Sequence, residues 1–81
     1  VKTLQVEVRL YAYLRDTIPE AKKGPLFVDI PDGSTVGDLL AYLQLPNEST
    51  LIVMIDGIRQ FNTYPLKEAS RVAIFPPIGG G

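Results

Sequence analysis

One helical stripe has to be buried, and nearly everything around it alternates with a period of two. Val36, Leu39, Leu40 and Leu43 fall at i, i+3, i+4 and i+7, the apolar face of an amphipathic helix. A stripe this regular reads as core rather than as a cofactor site. Thr35 followed three residues later by Asp38 resembles a capping box, with Asp in place of the usual Glu. Pro46 limits the helix to about two or three turns, because the residue before a proline is pushed out of helical angles. The chain has 81 residues. A single domain of that size buries only roughly 60% of the surface its unfolded form exposes. One helix laid across one small sheet is the simplest way to hide the stripe.

The remaining apolar residues supply the sheet. Leu4, Val6, Val8 and Leu10 alternate with Gln5, Glu7 and Arg9, which predicts a first strand with one face in the core. Tyr11 to Pro25 breaks the alternation, and Pro19, Gly24 and Pro25 mark it as a loop with one helical turn. Leu26, Val28 and Ile30 resume the period of two until the turn residues Pro31-Asp32-Gly33. After the helix, the continuous apolar run Leu51 to Ile55 predicts a strand buried on one face and partly on the other. Asp56-Gly57 is a hairpin turn, Ile58-Arg59-Gln60 a short return strand, and Asn62 to Ser70 an irregular connection with Pro65 and Leu66 tucked into the core edge. Arg71 to Phe75 is the last strand, with Val72 and Ile74 on one face and Ala73 and Phe75 on the other. Strand, strand, helix, strand, short strand, strand is the order of an α+β fold of the β-grasp (ubiquitin-like) type, a mixed sheet of about five strands with one main helix. In that arrangement the first and last strands lie side by side and parallel in the middle of the sheet.

Composition removes several function classes. The sequence contains neither histidine nor cysteine. Thiol nucleophiles, the usual zinc sites and Ser-His-Asp arrangements therefore cannot be assembled from it, and no metal site is expected. A formal net charge of −1 with acids and bases interspersed gives no electrostatic footprint for nucleic acid or an anionic membrane. The pair Lys22-Lys23 reads as a solvated loop face. No apolar stretch approaches the ~20 residues of a membrane span. A cytoplasmic location is expected, in line with the lack of cysteine.

The closing residues are the candidate for chemistry. Phe75 runs into Pro76-Pro77, which cannot continue a sheet ladder, and then into Ile78-Gly79-Gly80-Gly81. Three glycines carry no side chain and order only at high entropic cost. Residues 1–81 are thus expected to form one domain whose tail, about 76–81, is flexible. Extended at about 3.3–3.6 Å per residue, the tail reaches roughly 20 Å, enough to enter a partner's deep pocket. A linker remnant has the same composition, so the glycines alone do not decide the matter.

Tyr11-Ala12-Tyr13-Leu14-Arg15, Asp32 to Leu40, Asp56-Gly57, Val72 to Ile78 and the closing Gly80-Gly81 resemble the ubiquitin-like sulfur carriers, and among these the small subunits of molybdopterin synthase. The likeness covers essentially the whole chain. It implies that an E1-like adenylyltransferase uses ATP and magnesium to adenylate the carboxylate of Gly81, next to Gly80, and that a sulfur donor makes it a thiocarboxylate. The tail then enters the large catalytic subunit of a molybdopterin or tungstopterin synthase and gives its sulfur to a pterin precursor. No cofactor is bound by the chain itself, and the catalytic groups are expected on the partners, which leaves open whether the chain counts as an enzyme. Two other readings stay open under the same likeness: a ubiquitin-like modifier conjugated through Gly81, and the related thiamine-pathway sulfur carrier. A third, of a different class, is an interaction module without covalent chemistry.

The resemblance also implies the partner-binding residues. These are Phe75, Tyr11, Arg59, Pro76, Pro77, Ile78 and Gly79. Phe75 is an expected docking anchor beside the tail, the alternative being a minor core behind the sheet. Arg59 stands where the family's partner-facing patch is often apolar. Asp56-Gly57 replaces the common Asn-Gly, Ala69-Ser70 replaces Gly-Asp, and Gly79 occupies a variable position that adds slack.

Overall fold

The computed structural model describes residues 2–45 and 50–77. Its elements run β1 (Thr3–Leu10), two 3-10 helices (Ala12–Asp16 and Pro19–Lys23), β2 (Leu26–Pro31), α1 (Val36–Leu43), β3 (Ile52–Ile55), β4 (Ile58–Gln60) and β5 (Arg71–Phe75). The five strands form one sheet in the order β2-β1-β5-β3-β4. β1 and β5 are parallel, and every other pair is antiparallel. This is the mixed sheet with one helix expected of a β-grasp fold.

Alternation decides which side of each strand meets the helix. Val6, Val8, Val72 and Ile74 on the two central parallel strands are at most 1% exposed, as are Val36, Leu39 and Leu40 of α1. Leu43 closes the helical stripe only partly buried against this core. β5 is hydrogen-bonded on both sides, to β1 and to β3, and its last residue is Phe75.

The start of α1 shows how the irregular connection is used. The Thr35 amide donates to the Asp38 carboxylate at 2.9 Å, and the Asp38 amide donates to the Thr35 hydroxyl at 3.3 Å, a complete capping box. The two amides between them donate to the other segment: Val36 to the Tyr64 carbonyl and Gly37 to the Asn62 carbonyl, each at 2.9 Å. All four amides that a helix start leaves unpaired are thereby satisfied. The close approach explains Gly37, where a Cβ would stand 3.3 Å from both the Cβ and the carbonyl oxygen of Asn62. The helix ends at Gln44 in the left-handed region, φ 55°. Pro46, expected to stop it, lies outside the described residues.

Three expectations need correction. The segment after β1 holds two 3-10 helices rather than one turn, and they bury Leu14 and Ala21. Pro65 is exposed, and Leu66 alone of that pair enters the core; Pro65 instead forms an isolated bridge with Thr35, and the Leu66 amide donates to the Ser34 carbonyl at 2.9 Å. β3 starts at Ile52, and Leu51 is buried just ahead of it.

Candidate functional surface at the end of the central strand

The face of the sheet turned away from α1 carries Phe75 and Arg59, with Tyr11 at its rim, of the residues that the sequence singled out. By parity it presents Gln5, Glu7 and Arg9 from β1 and Arg71, Ala73 and Phe75 from β5, with Ile52 and Met54 from β3. Arg59, directly across from Met54, follows from β4. Two rows of neighbours cross it. Arg9, Ala73, Met54 and Arg59 share one rung, and Ile52 stands beside Phe75 on the next.

Tyr11 completes that second rung. Its amide donates to the Ile74 carbonyl at 3.1 Å, extending the parallel ladder past the end of β1. The Tyr11 and Phe75 rings therefore lie side by side and stack, with centroids 4.4 Å apart and planes 13° from parallel. Phe75 is half-buried and Tyr11 remains 39% exposed. Phe75 thus rests on Tyr11 at the rim of the outer face rather than filling a second core. Such offset aromatic pairs contribute about 0.5–1.5 kcal/mol beyond the area they bury. Pro76 follows half-buried and Pro77 exposed. Ile78, Gly79, Gly80 and Gly81 lie outside the described residues.

Arg59 is exposed on the edge strand, with its guanidinium 5.0 Å from the centre of the Phe61 ring. Beside the aromatic stack lies a shallow depression of about 720 Å³ whose walls include Glu7, Arg9, Met54, Asp56, Arg71 and Phe75. Arg9, Arg71, Ile52 and Met54 were not singled out from sequence. The available signal was the unbroken apolar run into β3, which needs a second semi-apolar face for its even-numbered residues.

Two turns hold this surface in place. Asp56 and Gly57 have φ 50° and 88°, as a two-residue hairpin turn requires. The Asp56 carboxylate also accepts from the Arg71 amide at 3.2 Å, tying the turn to β5. Before β5, Ala69 is left-handed at φ 65° and Ser70 is buried. The Ser70 hydroxyl donates to the Lys67 carbonyl at 2.7 Å and accepts from the Lys67 amide at 3.1 Å. The Ala69-Ser70 pair therefore builds a closed turn. Among the described residues no group of three or more His, Cys, Asp or Glu stands together, and no helix is long and apolar enough to cross a membrane.

A mixed sheet gripping one helix, with an aromatic stack at the end of its central strand, defines a ubiquitin-like β-grasp protein. Solved structures agree. The chain is similar to the small archaeal modifier protein 1 of Haloferax volcanii (21% identity, TM-score 0.76, covering 93% of this chain and 99% of that one). It is also similar to a chain of the complex of subunits 1 and 2 of molybdopterin-converting factor from Helicobacter pylori (20%, 0.63, covering 96% and 100%). A Caldiarchaeum subterraneum ubiquitin is likewise similar (15%, 0.63, covering 99% and 100%). No curated protein matches by sequence. The ThiS family model matches residues 8–81, and the chain belongs to the ThiS family.

Proposed function

We propose that this chain is a sulfur carrier, the small subunit of a molybdopterin or tungstopterin synthase, with the carboxylate of Gly81 as its reactive group. The observation that carries the reading is the placement of the Tyr11–Phe75 stack at the end of β5, a strand paired on both sides. The family match running through Gly81 supports it. So does the likeness to a chain from a complex of converting-factor subunits 1 and 2, which offers a precedent for a large-subunit partner.

The chemistry divides between chain and partners. A carboxylate is a poor electrophile until one oxygen becomes part of a leaving group. The Gly81 carboxylate attacks the α-phosphorus of ATP on an E1-like adenylyltransferase, with magnesium, and pyrophosphate departs. A sulfur nucleophile then attacks the acyl carbon and expels AMP, leaving the thiocarboxylate for transfer to the pterin precursor in the large subunit. This chain contributes a stiff strand that fixes where the tail begins, an outer face that docks, and glycines that leave the acyl carbon unhindered.

Intact-mass measurement after incubation with the cognate activating enzyme, ATP and sulfide tests the reading. Exchange of one terminal oxygen for sulfur, absent in a chain ending at Gly79, is the expected result. The similarity to archaeal modifier structures favours a second reading, conjugation of Gly81 to lysines. Isopeptide adducts without pterin sulfuration would establish that reading instead.

A further inference from the structure

The outer sheet face has a charge pattern that its apolar centre does not explain. The chain has four arginines, Arg9, Arg15, Arg59 and Arg71. Three of them project from this one face. Arg9 and Arg59 end the same rung and bracket Ala73 and Met54. With neighbouring strands about 4.8 Å apart, their Cα atoms are roughly 14 Å from each other. Arg71 lies two residues before Ala73 on β5, so the three arginines occupy register positions around the half-buried Met54 and Ala73.

These charges are largely unspent inside the chain. Arg9 pairs with Glu7 at 3.1 Å, while Arg59 and Arg71 have no ion-pair partner among the described residues. Arg59 rests against Phe61, a residue 66% exposed, and that contact leaves the guanidinium charge unneutralised at the β4 edge of the sheet. On the same face Glu7 pairs with Arg9 and is the register partner of Arg71, Asp29 sits on the outermost strand β2 beside Gln5, and the Asp56 carboxylate accepts from the Arg71 amide. A protein of net charge −1 thus carries three of its four arginines on the face that holds its half-buried apolar centre.

We infer that this face takes a partner protein whose contact surface sets carboxylates around an apolar centre, and that Arg59 and Arg71 select that partner by charge. The inference rests on the carrier reading and goes further, to the chemistry of the surface that recognises the carrier. Nucleic acid is the weaker occupant for a face of this kind. The Tyr11 and Phe75 rings are stacked on each other, so each has given up one face to its neighbour rather than to a base. Arginine is suited to the role because its planar fork pairs with a carboxylate through two hydrogen bonds.

The test uses the full chain with its cognate activating enzyme and cognate large subunit, following association by stopped-flow fluorescence at low and high salt. Wild-type association should slow by about tenfold between low and molar salt, the behaviour of charge-steered encounter. Arg59→Glu and Arg71→Glu should each slow low-salt association about tenfold while converging with wild type at high salt, and Arg59→Lys should retain most of the rate. Both positions are exposed, and unchanged thermal melts confirm that the variants fold. Thiocarboxylation of wild type with salt-independent association, or association untouched by both reversals, overturns the charge selection and leaves the carrier reading standing. Tighter binding to single-stranded RNA than to either protein also overturns the charge selection. Absence of any thiocarboxylate overturns both.

Discussion

The two faces of the sheet are built from the same strands and answer to different demands. Toward α1, Leu4, Val6, Val8, Leu10, Val53, Ile55, Val72 and Ile74 are none of them more than 6% exposed. Away from it, one residue along each strand, Ile52, Met54, Ala73 and Phe75 are only half covered and arginines stand around them. The first face is what an 81-residue chain needs in order to fold. Folding does not require the second, and a partly exposed apolar surface with a polar rim is what the proposed docking of a partner needs.

The largest expected effect falls on the helix side. Ile74→Ala and Leu39→Ala, at sites that are fully buried, should each cost about 2–5 kcal/mol of unfolding free energy, measured by chemical denaturation. Met54→Ala, one face away, should cost far less. If Met54 and Ile74 prove equally costly, the distinction between the faces fails.

Phe75→Ala sharpens the contrast from the other side. Losing the stack with Tyr11 should lower stability by about 1 kcal/mol. Affinity for the activating enzyme and the large subunit should fall by about tenfold or more in calorimetric titrations, as for a central aromatic anchor. Lost stability with unchanged affinity would make the ring structural only. Thr35→Ala is the mirror image: removing the cap hydroxyl should cost about 1 kcal/mol of stability and leave binding to both partners unaltered.

The helix side was readable because its signal is periodic. Alternation located β1, β2 and β5, the i, i+3, i+4 stripe located α1, and Thr35 with Asp38 marked its start. The 3-10 helices were not readable as a pair, since i→i+3 turns of five residues impose no lasting apolar period and Pro19, Gly24 and Pro25 read equally well as loop. Pro65 was misplaced because what holds its segment is backbone hydrogen bonding to the helix start, which side-chain pattern does not encode. On the outer face, Phe75 and Tyr11 were named together as docking residues. Their stacking follows only once β1 and β5 are known to be parallel and in register. Arg9 and Arg71 looked like ordinary solvated strand residues until the strand order brought them around Met54.

The smallest effects separate the two faces most finely. Two alanines take left-handed conformations where glycine is the relaxed choice, Ala69 at φ 65° and Ala12 at φ 54°. An L-residue there carries roughly 1–2 kcal/mol of strain, part of which glycine gives back through the greater freedom of its unfolded chain. Ala69→Gly should therefore stabilise the protein by about 0.5 kcal/mol, seen as a small rise in melting temperature. Its turn is held independently by Ser70, so partner binding should not change. Ala12→Gly should stabilise by a similar amount, yet Ala12 is the residue that fixes the chain's exit from Tyr11, with its carbonyl accepting from the Arg15 guanidinium at 3.5 Å. Releasing that backbone lets Tyr11 wander before binding, and re-ordering it should weaken partner affinity by about twofold. Equal affinity for the two variants would mean that the conformation at Ala12 serves the fold alone, and that the outer face begins at Tyr11 rather than one residue beyond it.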